Sequence, residues 1–239
     1  MSTSLSLLPA FVLHSRPYRD TSLLLEVFSA GQGRVGLVAR GARTSRSRQR
    51  GLLQPFQPLL LSWSARGELG TLTAVEAAGA PLSLRGHALY SGFYVNELLV
   101  RLLHRNDPHP ELYPVYGETL TGLMQASEPE PVLRRFELRL LELLGYGLQL
   151  ERDCVGAELD PESRYDYRPD EGAVPLAPTG QARGVAISGH SLLALRSECL
   201  DDAQVCRDAR RLTRAALDPH LGAAPLKTRA VLRQLVKVR

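Results

Sequence analysis

The sequence predicts an α+β protein, a five-stranded barrel followed by a helical region. Two observations carry this: glycines recur at short intervals up to residue 70, and the apolar period changes near Pro81 from two to about 3.6. The composition is compatible with a packed core. The chain has 239 residues, 44% hydrophobic and 23% charged, an ordinary globular balance long enough for one large domain or two small ones.

In the first part the pattern predicts strands from Phe11 to His14, Thr21 to Phe28, Arg34 to Arg40, Gln54 to Trp63 and Leu69 to Glu76. The third alternates: Val35, Leu37 and Ala39 face one way and Arg34, Val38 and Arg40 the other, which is the period of a half-buried strand. Gly31, Gly33, Gly41, Gly51, Gly67 and Gly70 supply the turns. Five closely spaced strands in 80 residues point to the oligonucleotide-binding (OB) barrel.

Beyond Pro81, Leu89, Phe93, Leu98 and Leu102 fall near one face of a helix from Leu84 to His104. Pro108 and Pro110 restart the chain into a helix through Met124. A third begins at Pro129 and Pro131, carries Leu133, Phe136, Leu140 and Leu144, and ends at Gly145. Residues 151–190 are rich in proline and glycine and predict a small irregular or β insert. Helices are expected again from Ser191 to Glu198, Ala203 to Leu217 and Pro225 to Val236. The expected organisation is an OB domain over 1–80 and a helical domain over 81–239. So small a barrel buries modest area, and is expected to pack against the helices.

The net charge of +4 conceals three zones. Residues 1–80 carry nine arginines against four acids, residues 81–202 eleven against nineteen, and residues 203–239 nine basic residues against Asp208 and Asp218. From Val27 to Gly67 there is no acid, and the stretch holds Arg34, Arg40, Arg43, Arg46, Arg48, Arg50 and Arg66. A flexible polar connection bearing this charge on a barrel predicts a phosphate-binding rim. Aromatics are few, so binding is expected to follow the backbone, with Phe56 and Trp63 offering a base contact or two. At the other end Arg207, Arg210, Arg211 and Arg214 lie at helical spacing and make a second basic surface. Lys227, Arg229, Arg233 and Lys237 follow on the last helix.

Other chemistries lack their residues. Gly31-Gln32-Gly33-Arg34-Val35-Gly36 matches a dinucleotide loop, but a strand follows where a helix should open. It also fits a kinase Gly-rich loop, yet Arg40 stands where a lysine is needed and no D-F-G occurs; a hairpin turn explains the glycines. There is no G-x-S-x-G, P-loop or H-E-x-x-H, the six histidines lack metal spacing, and Cys154, Cys199 and Cys206 lack the pairing of a zinc site or a disulfide framework. No signal peptide or membrane span is expected, nor a cofactor, and the reading is a cytoplasmic, non-enzymatic nucleic-acid-binding protein. An RNA-binding OB protein of translation is the alternative that these residues leave open.

Several runs are familiar in order: Phe11-Val12-Leu13-His14-Ser15-Arg16-Pro17-Tyr18, Val38-Ala39-Arg40-Gly41-Ala42-Arg43, Leu53-Gln54-Pro55-Phe56, Leu89-Tyr90-Ser91-Gly92-Phe93-Tyr94-Val95-Asn96-Glu97-Leu98, Leu133-Arg134-Arg135-Phe136-Glu137 and Gly145-Tyr146-Gly147. Together they resemble the RecO family of bacterial DNA repair proteins over nearly the whole chain. The resemblance implies a recombination mediator that binds single- and double-stranded DNA and anneals complementary strands. It also implies work with RecR, and with RecF, to load RecA onto DNA coated with single-stranded-DNA-binding protein (SSB). Some members hold zinc after Gly-Tyr-Gly; only Cys154 stands there, which resembles the zinc-free branch, with Tyr165 to Gly172 holding the insert by packing. The family's site for the acidic, Phe-terminated SSB tail maps to Arg134 and Leu138, one helical turn apart.

Overall fold

The structure is a computed structural model that describes residues 7–47, 49–177 and 179–231. It folds as two compact units, one running up to Gln125 with the segment that begins at Pro225, the other Ala126–Ala224.

The first unit contains the barrel. Strands β1 (Leu8–Tyr18), β2 (Ser22–Ser29), β3 (Gly33–Ala39), β4 (Leu59–Arg66) and β5 (Leu69–Ala77) close in the order β1-β2-β3-β5-β4. Neighbours are antiparallel except β3 and β5, which meet in parallel at Leu37 and Val38 opposite Gly70 and Thr71. This closed five-stranded, OB-like barrel removes the free edges a small open sheet would expose. Its interior is Ala10, Val12, Leu25, Val27, Val35, Leu37, Ala39, Leu59, Leu61 and Trp63.

The expected strand from Gln54 starts five residues late. Helix α1 (Gln49–Leu52) precedes it, and Phe56 takes a φ of +65°, which breaks an extended run. Between β2 and β3 the glycines do make a hairpin. Gly33 sits at φ +64°, and a Cβ there would lie 1.7 Å from the Asp107 carbonyl oxygen, so the close passage of residues 103–108 requires it.

Helices α2 (Gly86–Leu102) and α3 (Leu112–Gln125) belong to this unit too. The cross-strand pair Phe11 and Phe28, outside the barrel core, packs on Tyr113 and Tyr116 of α3 with centroids 5.1–6.0 Å apart. A buried polar chain fixes the join: the Tyr116 hydroxyl donates to Asn96 Oδ1 (2.8 Å), and Asn96 Nδ2 donates to the Leu13 carbonyl (2.9 Å). Burial pushes the Tyr116 pKa up, which keeps it a donor. Glu97 draws the segment from Pro225 back to α2, accepting from the Lys227 and Thr228 N–H groups (2.8 and 2.9 Å) and the Thr228 hydroxyl. The later part of the expected last helix, residues 232–236, lies outside the described residues.

The second unit combines α4 (Glu130–Leu143), a three-stranded sheet β6 (Arg164–Arg168), β7 (Gly172–Pro175) and β8 (Val185–Ser188) ordered β7-β6-β8, α5 (Gly189–Arg196) and α6 (Ala203–Leu217). The expected insert is thus a small sheet. Tyr165 and Tyr167 are buried in it, and their hydroxyls accept from the N–H groups of Asp160 (2.9 Å) and Gln149 (2.8 Å). Asp202 caps α6, accepting from the Gln204 and Val205 N–H groups, so the helix starts where the sequence suggests.

Candidate nucleic-acid interface

The connection from β3 to β4 carries the arginine run and is anchored at both ends. Ala42 and Leu53, both within 1% of complete burial, join the barrel core, and Leu52 packs against it. The Thr44 N–H and hydroxyl both bond the Gly41 carbonyl (3.1 and 2.9 Å), and the Ser47 N–H bonds the Thr44 carbonyl (3.1 Å). The segment expected to be a flexible connection is a turn-rich cap on the barrel. Arg40, Arg43, Arg46 and Arg50 on it are exposed, while Arg48 and the Arg66 side chain lie outside the described residues.

Not every arginine of the acid-free stretch is open. Arg34 is part-buried on β3, ion-paired with Glu26 at 3.2 Å, and Glu26 also holds Arg105. Burial lowers the Arg34 pKa, and the Glu26 carboxylate beside it opposes that shift. Arg43 has a double commitment: its N–H bonds the Thr21 carbonyl (2.8 Å), and its Nη1 donates to the carbonyls of Arg19 (3.2 Å) and Asp20 (3.3 Å). That stitch brings the β1–β2 turn beside the arginine connection and adds Arg19, exposed, to the rim. Sequence reasoning missed Arg19 because it precedes the acid-free stretch; its place in a turn between strands was the available signal.

Two aromatic expectations are corrected. Trp63 is 2% exposed inside the barrel, and Phe56 is 5% exposed, its ring against Phe93 (5.1 Å) and over Gly92, where a Cβ would come within 2.9 Å. Neither reaches a base, since hydrophobic burial takes the large apolar side chains first.

On the second unit, α6 buries Val205, Ala209, Leu212 and Ala216 and leaves Arg207, Arg210 and Arg211 outside. Arg207 bonds Gln204 Oε1 (2.7 Å), Arg211 lies 3.4 Å from Asp208, Arg210 4.0 Å from Glu130, and Arg214 is half-buried. Arg134 is corrected more strongly. It is 5% exposed, 2.9 Å from Glu137 and 3.8 Å from Glu130, and its Nη1 reaches the Thr213 hydroxyl, which itself donates to Glu137. It does not present a guanidinium to solvent beside Leu138. Arg134 faces α6, because an unpaired Glu137 in that interior would be far costlier than a buried pair. Leu138 instead lines a groove of about 520 Å³ with Leu148, Leu150 and Leu195, edged by Arg139 and Arg196.

Among the described residues no three His, Cys, Asp or Glu side chains group to hold a metal, and no helix is long and apolar enough to cross a membrane.

Comparison with known proteins gives two family matches, "Recombination protein O N terminal" over residues 1–81 and "Recombination protein O C terminal" over 84–230. Curated relatives named DNA repair protein RecO include those of Alkalilimnicola ehrlichii (51% identical, 96% of this chain and 91% of the relative) and Methylococcus capsulatus (47%, 94% and 91%). That of Nitrosococcus oceani is 46% identical over 95% of this chain and 92% of the relative. With both halves matched and whole-length relatives at this identity, the chain belongs to the RecO family, recombination mediators of DNA repair and not enzymes.

Proposed function

We propose that the protein binds single- and double-stranded DNA along the barrel rim, anneals complementary strands by screening their phosphates, and with RecR loads RecA onto SSB-coated strands, RecF taking part in loading. The observation that carries this reading is the group Arg40, Arg46 and Arg50, exposed on a connection whose apolar residues are sunk in the barrel. Arginines at these positions suit phosphate oxygens, and contacts to phosphate carry no sequence preference, as an annealing protein requires. The α6 arginines Arg207, Arg210, Arg211 and Arg214 supply a second, weaker surface for the other strand. The SSB tail docks in the groove at Leu138, whose leucines take its terminal aromatic ring while the exposed Arg196 at the groove edge takes its carboxylate. These roles place the protein in the cytoplasm with the nucleoid.

The test reverses Arg40, Arg46 and Arg50 to Glu in the full chain. Affinity for both forms of DNA should fall, annealing should stop, and the slope of log K against log salt should flatten by roughly 2 on single strands, about 0.7 for each lost phosphate. Unchanged affinity and slope would overturn the rim. Displacement of single-stranded DNA by ribosomal RNA at equal nucleotide concentration would favour the translation reading instead.

A further inference from the structure

The turn between β1 and β2 is more constrained than a three-residue link needs. Arg19 takes a φ of +50°, a left-handed backbone that a non-glycine residue keeps only where its surroundings hold it. The Arg43 bonds to the carbonyls of Arg19, Asp20 and Thr21 do the holding. The same turn lays the Arg19 guanidinium over the Tyr18 ring, 5.3 Å from its centroid. Of the barrel's five aromatic residues, Phe11, Phe28, Phe56 and Trp63 are buried; Tyr18 is half-buried and Arg19 exposed. An aromatic ring capped by a cation, fixed at the border of an arginine rim, is an arrangement that unpaired bases recognise by their π faces.

We propose that Tyr18 and Arg19 form a nucleobase-stacking platform, an unpaired base lying against the Arg19 guanidinium as the third layer over Tyr18, so that the rim holds single strands more tightly than duplex. The inference rests on the phosphate-binding reading of the rim. A duplex keeps its bases stacked on one another and offers the rim phosphates alone, whereas a single strand also offers base faces. Arg43 is a positioning residue here: its guanidinium is occupied by the turn carbonyls, and it sets where Arg19 stands.

The experiment compares binding of an oligo-dT strand and an abasic strand of equal length, which has the phosphates without the bases. The wild type should prefer oligo-dT, and Tyr18→Leu should weaken oligo-dT binding by about fivefold or more, the lower end of one stacked base, while leaving the abasic strand and the salt slope unchanged. Tyr18→Phe, which keeps the ring, should restore the preference. Arg19→Gly suits the positive φ, so the turn survives while the guanidinium is lost, and the dT-to-abasic ratio should fall as it does for Tyr18→Leu. If Tyr18→Leu fails to fold, Tyr18→Trp decides: the chain's one native tryptophan, Trp63, is buried, so quenching of the new emission by oligo-dT but not by the abasic strand supports the platform, and equal response to both overturns it. A dT-to-abasic ratio unchanged in Arg19→Gly also overturns it. Abasic binding that survives the Arg40, Arg46 and Arg50 reversal would instead sink the rim itself, and is read separately from the ratio.

Discussion

Two sets of four arginines stand at comparable density in this chain, Arg40, Arg43, Arg46 and Arg50 on the barrel and Arg207, Arg210, Arg211 and Arg214 on α6, and the structure treats them differently. On the barrel, Arg40, Arg46 and Arg50 have no acidic partner within ion-pair distance among the described residues, and Arg43 is spent on backbone carbonyls. On α6, Arg211 lies beside Asp208, Arg210 within reach of Glu130, and Arg207 on Gln204. The beginning of α4 and the buried side of α6 supply those acids. A run of positive charge is therefore open to an anion only where the fold keeps carboxylates away from it, since a neutralised arginine releases fewer counterions on meeting a phosphate.

The largest effect expected concerns the structural side of this contrast. Arg134→Ala should destabilise the second unit by about 3–5 kcal/mol in chemical denaturation, because it removes the counter-charge of the buried Glu137 in the interior between α4 and α6 and leaves the Thr213 hydroxyl on it. A variant as stable as the wild type would show that the pair is dispensable and reopen Arg134 as a ligand. Next, reversal of Arg40, Arg46 and Arg50 should cost DNA binding at least about tenfold (about 1.4 kcal/mol), and reversal of Arg207, Arg210 and Arg211 distinctly less. Equal losses in parallel salt titrations would erase the distinction between the two surfaces.

A smaller effect comes from the buried polar chain of the first unit. Tyr116→Phe removes the donor to Asn96 Oδ1 and should lower stability by about 1 kcal/mol while leaving the DNA salt slope as it was.

The smallest effect is in acid. Burial alone would raise the Asp166 pKa, but the N–H groups of Arg183 and Gly184 and the Arg168 guanidinium hold it below the usual carboxylate value. Its contribution is present above the ordinary value of 3.8 and disappears as pH falls through the lower folded value. Asp202, held down by the Val205 and Gln204 N–H groups, behaves alike. Asp166→Asn should flatten the acid limb of unfolding below about pH 4. An acid limb of the same steepness in the variant would remove Asp166 from the account.

The sequence made the order of elements legible because each rests on local periodicity. The alternation of Val35, Leu37 and Ala39 gave β3, and the run expected as a helix from Ala203 to Leu217 is α6 with the boundaries observed. It misread the stretch from Gln54, where Phe56 turns the chain at φ +65° and packs on Phe93 before the strand starts at Leu59, a distinction no period of two can make. Helices α2 and α3 were legible as helices, but their place in the barrel's unit depends on Phe11, Phe28, Tyr113 and Tyr116 meeting across more than eighty residues.

The site divides along the same line. Freedom from acid between Val27 and Gly67 is a property of the chain, and with the ordered family motifs it determined the class of protein and the segment proposed to meet phosphate. Which arginine is open was decided by the tertiary structure. Arg34 was claimed by Glu26, Arg134 by Glu137 and Thr213, Trp63 by the core, and Arg19 was delivered to the rim through Arg43, 24 residues away. The physical reason is that charge and periodicity are carried by residues and their near neighbours, while availability depends on desolvation and on partners that only folding brings within hydrogen-bond distance.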